Sequence, residues 1–284
     1  MSGSVVVIPA CSDENALDAC LAALDANTQP GTRVWIPDNA EVTPRGFEII
    51  KAWIARTKLK ADYTRRQSRT DELVNMAEIF RAVGDADVCV LSPYAVPTRG
   101  WLTRLEACLA ADPSVATATP WSNLGDILSW PLMGELNPLP DDPEAIAQAA
   151  ANMPRLFPEI PSAVAHCVLV RGKARAAVGT LDADSFSSWY AGLVDWSMRF
   201  AGLGWRNVLC ESSFVGCTLE SHAREGDAAA LFARWPAWQD RQAHFVLNDP
   251  LRSNRQALTQ RLQELTPPEL QRDLFDAVGD ERAA

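Results

Sequence analysis

In the first half of the chain, short continuous apolar runs alternate with stretches whose apolar residues recur every three or four positions. That alternation predicts strands covered by helices on both faces, because a strand buried on two sides has no polar face to show. Ser4 to Ile8 reads as the first strand, ended by Pro9. Residues 13–26 then place Ala16, Leu17, Cys20, Leu21, Ala23 and Leu24 at helical spacing behind a capping Ser12-Asp13. Arg33 to Ile36 is a second strand, closed by Pro37-Asp38-Asn39. Phe47 to Thr57 reads as a helix, Ala61 to Thr64 as a short strand and Asp71 to Val83 as a helix. Asp87 to Leu91 is the central strand, and Gly100 to Ala111 (helix) and Val115 to Thr119 (strand) complete this half.

The second half is less regular. Residues 120–143 carry prolines at 120, 131, 138 and 140 with anchors at Trp121, Trp130 and Met133, a composition that suits an ordered loop over a cleft. A helix over 143–152, a strand from Ala163 to Val170, a short helix from Lys173 to Val178 and a longer one from Asp184 to Ala201 follow. Trp205 to Leu209 and Ser213 to Val215 read as two short strands. After His222 the pattern is helical: Ala228–Trp235, Trp238–Leu247, Arg255–Leu265 and Pro268–Val278. The expected organisation is a main α/β domain over 1–222 and a helical extension over 223–284 packed on it. An oligomer contact is the alternative use of its apolar face.

Composition narrows the partners. A net charge of -10 disfavours a nucleic-acid backbone, whose binding depends on basic side chains. No apolar run approaches the roughly 18 residues of a membrane span. The seven cysteines are odd in number and form no CxxC pair, so buried reduced thiols are expected rather than a disulfide framework or a zinc site. With no basic, cleavable leader after Met1, the expected location is the cytoplasm.

Several segments in order carry a resemblance. Val5 to Pro9, Pro37-Asp38-Asn39, Asn75, Pro120-Trp121-Ser122-Asn123, Ser129-Trp130-Pro131 and Ile160 to Cys167 are joined by Gly179 to Asp182, Asp195 to Arg199, Gly204 to Leu209, Trp235 to Trp238 and Asp249 to Leu251. Together, over residues 4 to about 257, the chain resembles the family 2 glycosyltransferases of bacterial glycan and polysaccharide assembly. The resemblance implies a GT-A fold: a Rossmann-like, mostly parallel sheet flanked by helices. It also implies a nucleotide-diphosphate sugar donor and a glycan acceptor, with nucleotide contacts at Pro9 and Asp38. Ala10, Ser92 and Tyr94 join them as candidates at the carboxyl ends of the strands, and Arg66 and Arg69 either bring positive charge to the nucleotide or form a solvated face.

The departures bear on chemistry. Where that family carries its DxD this chain has Ser92-Pro93-Tyr94, in place of its acidic pair Gly192-Leu193, and in place of its histidine Gly216-Cys217. An inverting transfer needs a general base for the acceptor hydroxyl and positive charge on the leaving diphosphate. Proline and tyrosine are not the hard oxygen ligands of Mg²⁺ or Mn²⁺. Loss of a base alone costs about 10²–10⁴ in rate. No cofactor is expected, and Mg²⁺ or Mn²⁺ only with a compensating site.

Asp195, one turn after Gly192, is the retained carboxylate, either structural or a substitute base. Asp182 and Asp184 are the compensating candidates, against the plainer reading of Asp184 as a helix N-cap. Asp85-Ala86-Asp87 precedes its strand and so belongs to the far sheet edge. Glu220 and His222 reach either towards phosphate or into a surface loop. Trp130, Trp189 and Trp196 are acceptor-side candidates for stacking on sugar rings, against the commoner core role of large aromatics. Three readings stand: a non-catalytic domain that binds a nucleotide, a glycan, a partner glycosyltransferase or a second copy; an active inverting enzyme with a metal-independent site; and a new site for another nucleotide-linked donor formed by Tyr94, Cys217 and the loop.

Overall fold

A computed structural model describes residues 3–265. Its elements are β1 (Val5–Val7), α1 (Glu14–Asn27), β2 (Arg33–Asp38), α2 (Pro44–Arg56), β3 (Lys60–Arg65), α3 (Glu72–Ala82), β4 (Val88–Leu91), β5 (Ala95–Pro97), α4 (Trp101–Ala111) and β6 (Val115–Trp121). A 3-10 turn, Asp126–Leu128, precedes α5 (Pro143–Ala151), β7 (Cys167–Val170), α6 (Gly172–Val178), α7 (Trp189–Gly202), β8 (Arg206–Cys217), α8 (Asp227–Arg234), α9 (Ala237–Asn248) and α10 (Arg252–Leu265). The expected helix over Pro268–Val278 lies outside the described residues.

The strands form one sheet in the order β3-β2-β1-β4-β7-β6-β8-β5. It is parallel from β3 to β4 and mixed beyond, because β7 runs antiparallel between β4 and β6. Alternation within the strands explains their unbroken apolar runs. Val6, Ile8, Cys89 and Leu91 face a core shared with α1, α2 and α4, while Val5, Val7, Val88 and Val90 face a core shared with α3, α6 and α7. A third core lies under the 3-10 turn, α5 and α10.

Caps set several boundaries. Asp13 accepts from the Asn15 and Ala16 amides at 3.1 and 3.0 Å, as its position before the helix foretells. Thr43 caps α2 ahead of Pro44, so this helix starts three residues before the expected Phe47. Gly100 begins α4 with φ at 72°, a conformation that costs glycine nothing.

Several expected elements change. The two strands over 205–209 and 213–215 are one, β8, which runs on past a register irregularity to pair with β5. β5 itself falls inside a stretch read as turn. The strand from Ala163 is confined to Cys167–Val170, and the helix from Asp184 starts at Trp189, where Ser188 caps it at 3.2 Å. Of residues 120–135, Trp121, Ile127, Leu128 and Trp130 pack into the third core, while Asp126, Gly134 and Glu135 border a surface cleft. Arg255 donates to the Ser129 carbonyl (2.8 Å) and to Ile127, and Trp130 Nε1 donates to Thr259 at 3.1 Å.

The later helices are tied in by specific contacts. Asp227 accepts from the Ser187 and Ser188 amides at 2.9 and 3.1 Å, and Trp238 is buried in the core around α7. All seven cysteines are free, six of them buried. Among the described residues, no helix is long and apolar enough to cross a membrane.

Candidate functional site

The carboxyl ends of β1, β2 and β4 open on a crevice of about 270 Å³, the place where open α/β sheets bind ligands. Pro9 and Ala10 form its β1 edge, held there by the ladder to β2: the Ile8 and Ala10 amides donate to Trp35 and Pro37, each at 2.9 Å. Ser92 and Tyr94 line it from the end of β4. They form a tight turn in which Ser92 Oγ accepts from the Tyr94 amide at 3.2 Å and the Ser92 carbonyl from Ala95 at 3.0 Å. Burial and the neighbouring Cys11 push the Tyr94 phenol up to about 12, so it stays a neutral hydrogen-bonding group.

Asp38 and Arg66, by contrast, do not line this crevice. The Asp38 carboxylate is buried and fully engaged: Oδ1 accepts from Glu41 and Val42 amides (2.8 and 3.2 Å), and Oδ2 from the Tyr63 hydroxyl (2.6 Å) with Arg65 at 3.2 Å. It builds the turn after β2 and has no free lone pair facing a base. Arg66 is ion-paired to Glu78 on α3. Asn39 and Arg69 border the crevice instead.

Three carboxylates that sequence reasoning did not connect meet there: Glu41, Glu72 and Glu220. Glu41 pairs with Arg69 and Glu72 with Arg224, both at 3.2 Å, while Glu220 accepts the Asp126 amide at 2.7 Å. Burial raises the Glu72 carboxyl, and Arg224 works against the shift. Glu72 and Arg224 come from α3 and the loop after β8, and no spacing in the chain announces their meeting. A divalent cation needs several hard oxygens converging on one point. Ser92 already accepts an amide, Tyr94 is neutral, and two of the three carboxylates are paired with arginine. Among the described residues, no three His, Cys, Asp or Glu side chains are placed to hold a metal ion. This donor set does not fit Mg²⁺ or Mn²⁺.

The candidate catalytic residues are placed elsewhere. Asp195 is fully buried, with Oδ2 at 2.8 Å from Arg199 and Oδ1 accepting from Trp235 Nε1 (3.0 Å) and Arg234 (3.4 Å). Asp182 pairs with Arg234 at 2.6 Å and accepts from the Asp184 and Ser185 amides, so it builds a turn. Asp184 is exposed within that turn, borders none of the clefts described here, and does not cap α7: Ser188 does, because the helix starts later than its pattern suggested. Asp87 accepts from the Gly172 amide at 2.8 Å at the opposite end of β4. Gly192 and Leu193 are buried, and a Cβ on Gly192 would lie 2.3 Å from Leu73 Cδ1 on α3. The position where the resemblance expects an acidic pair is therefore filled by apolar packing between α3 and α7.

Of the aromatic candidates, Trp189 lines the crevice, and its buried Nε1 has no partner. Trp196 packs against Phe80, Trp189 and Phe200, and Trp130 lies in the third core. Both are consumed by the interior, where a large ring is most stable.

His166, next to the crevice-lining Ala165, is 5% exposed, and neither ring nitrogen makes a well-formed hydrogen bond. Burial lowers it from 6.5 to about 3, against a smaller opposing pull from the Pro120 carbonyl. Because the folded value lies below the unfolded one, the unfolded state takes up this proton first on acidification. Stability is therefore lost as pH falls from about 6.5 towards 3. From pH 7 to pH 5 this residue is expected to cost about 2 kcal/mol. Urea unfolding at both pH values should show that drop in the wild type and a correspondingly smaller one in His166→Phe. Equal drops would assign the pH dependence to other groups.

No protein-family model matches the chain, and no curated protein matches it in sequence. Solved structures do. It is similar to GalNAc-T7 with UDP, GalNAc and Mn²⁺, at a TM-score of 0.61 and 11% identity over 84% of this chain and 50% of that one. It is similar to the mannosyltransferase PcManGT from Pyrobaculum calidifontis in complex with GDP-Man and Mn²⁺, at 0.55 and 14% over 91% and 69%. It is also similar to S. aureus TarS, at 0.55 and 12% over 96% and 46%. The chain thus spans about half the length of two of these. The neighbours are GT-A-type glycosyltransferases, and the fold of this chain is GT-A.

Proposed function

We propose that this GT-A chain is a family 2-like protein of glycan or polysaccharide assembly that binds a nucleotide-diphosphate sugar in the crevice without a divalent cation. In this reading it has lost standard metal-dependent transfer, and acts as a glycan-binding or partner-binding domain. One observation carries the loss: at the position of the acidic pair, Gly192 lets Leu73 pack where a carboxylate would otherwise stand. The complex of PcManGT with GDP-Man supports a nucleotide sugar as the ligand class. Seven unpaired thiols support a cytoplasmic setting. The body of the fold ends near residue 222, and the helices after it act as an extension that supplies Arg234 and Trp235 to Asp195.

A second reading rests on Arg69 and Arg224, which border the crevice and offer positive charge to a leaving diphosphate. It is an inverting, metal-independent glycosyltransferase.

Calorimetric titration of UDP, GDP and dTDP, with and without Mn²⁺, tests the main reading. At least one nucleotide is expected to bind with an affinity that Mn²⁺ leaves unchanged. A tenfold gain with Mn²⁺, about 1.4 kcal/mol, would overturn the metal-free site. Absence of binding by all three would overturn the nucleotide reading itself. Turnover of a sugar nucleotide in the presence of a glycan acceptor would favour the second reading.

A further inference from the structure

A cleft of about 240 Å³ opens at the amino end of β4, the opposite end from the crevice, between α3, α6 and α7. Gly172 brings α6 against the turn before β4: a Cβ there would lie 2.0 Å from the Asp85 carbonyl oxygen. That approach carries Arg175, at 8% exposure, into the wall of the cleft. Its guanidinium has only neutral partners. Nη1 donates to the Phe80 carbonyl at 3.0 Å, and Nη2 to the Gly84 and Ala86 carbonyls at 2.6 and 2.8 Å. Cζ stands 5.1 Å from the centre of the Phe80 ring.

Two donors in this wall are left over. Arg175 Nε and Trp196 Nε1 are buried and make no hydrogen bond, and both side chains border the same cleft. Buried N–H groups are almost always paired, so two unspent donors beside one cavity point to an acceptor that enters it. Charge has the same sense. Among the described residues Arg175 forms no ion pair, and Asp85 and Asp87 act on it only from a distance. A buried cation without a counterion is costly, and an anion bound beside it removes that cost. Arg81 adds a second, exposed guanidinium to the lining, and Asp85 is its one carboxylate.

We propose that this cleft binds a small monocarboxylate with an apolar body. A carboxylate accepts from several donors at once, as Arg175, Trp196 and Arg81 require. Phe80, Leu181 and the Trp196 ring offer the rest of the molecule an apolar wall. Two cations against the Asp85 carboxylate leave a single positive charge, which suits a monoanion and disfavours phosphate or a dicarboxylate. The volume lies below the roughly 300–1,000 Å³ of drug-sized pockets, so the ligand is a small acid. The cleft is separate from the crevice, and the inference stands whether or not a nucleotide binds there.

NMR of the indole and guanidinium N–H groups of the full chain tests this, with benzoate, phenylacetate and hexanoate as probes. Benzamide is the neutral control, and phosphate and succinate are the dianionic ones. At least one monocarboxylate is expected to shift the Trp196 Nε1 and Arg175 Nε signals saturably, and the controls to leave both in place. Arg81→Ala removes an exposed charge and should weaken binding about threefold. Ala176→Trp, on the exposed surface of α6 that borders the cleft, should abolish it by filling the space. Unmoved signals with all three acids, an equal shift with benzamide, or equal binding of phosphate or succinate would each overturn the proposal. So would a wild-type affinity in either variant.

Discussion

Gly192→Asp is expected to lower the unfolding free energy by about 4 kcal/mol and to confer no sugar-nucleotide turnover, although it places an acid where the resemblance to family 2 glycosyltransferases expects one. The reason is local. A Cβ at residue 192 would stand 2.3 Å from Leu73 Cδ1 and 3.0 Å from Cδ2, and Leu73 is fully buried. Overpacking at such a site costs about 1–3 kcal/mol. The carboxylate adds the cost of a polar group buried without a partner, again about 1–3 kcal/mol. Gly192→Ala separates the two. It carries the steric cost but gains about 1 kcal/mol of helix propensity, so its net loss should be less than half that of the aspartate. Urea unfolding of the three proteins, with a hydrolysis assay on UDP-sugars, checks this. A stable Gly192→Asp protein that turns over a UDP-sugar would show that the α3–α7 contact yields and that the site has lost only its acid.

Asp195→Ala is expected to cost about 3 kcal/mol and to leave nucleotide affinity where it was. One carboxylate joins three elements here. Arg199 reaches it from the next turn of α7 and also donates to the Val178 and Thr180 carbonyls, at 2.8 and 2.9 Å. Arg234 and Trp235 reach it from the end of α8. Truncation leaves two guanidinium groups and an indole N–H facing a site from which the anion has gone. Both arginines retain other partners and some exposure, which places the loss at the low end for a broken buried pair. For a chain of this size the melting temperature should fall by about 6–12 °C. Thermal melts and UDP calorimetry of Asp195→Ala and Asp195→Asn test it, the amide keeping the shape without the charge. A variant as stable as the wild type, with altered handling of a sugar nucleotide, would return Asp195 to the chemistry.

Both expectations turn on residues whose surroundings come from distant parts of the chain, and the same divide runs through the rest of the site. Pro9, Ala10, Ser92 and Tyr94 were legible because a strand ending in a turn puts those residues at the sheet's carboxyl edge whatever packs around it. Asp38 was legible as a strand-end residue but not as a spent one, since Tyr63 and Arg65 approach it only when β3 pairs with β2. Trp130 and Trp196 looked available for sugars, and the interior took them. Asp184 looked like a cap until Ser188, four residues on, proved to have the better geometry.

By itself the sequence determined the layered α/β plan, most of the strands and helices, the reduced thiols and the lack of carboxylates at Ser92-Pro93-Tyr94, because periodicity, capping and residue chemistry act over a few neighbouring positions. Only the tertiary structure decided which charges remained free. Arg224 meets Glu72, Arg234 meets Asp195, and Gln242 meets Asp126 across 152, 39 and 116 positions respectively. Side-chain pairing in a folded chain depends on distance in space, which no local pattern encodes.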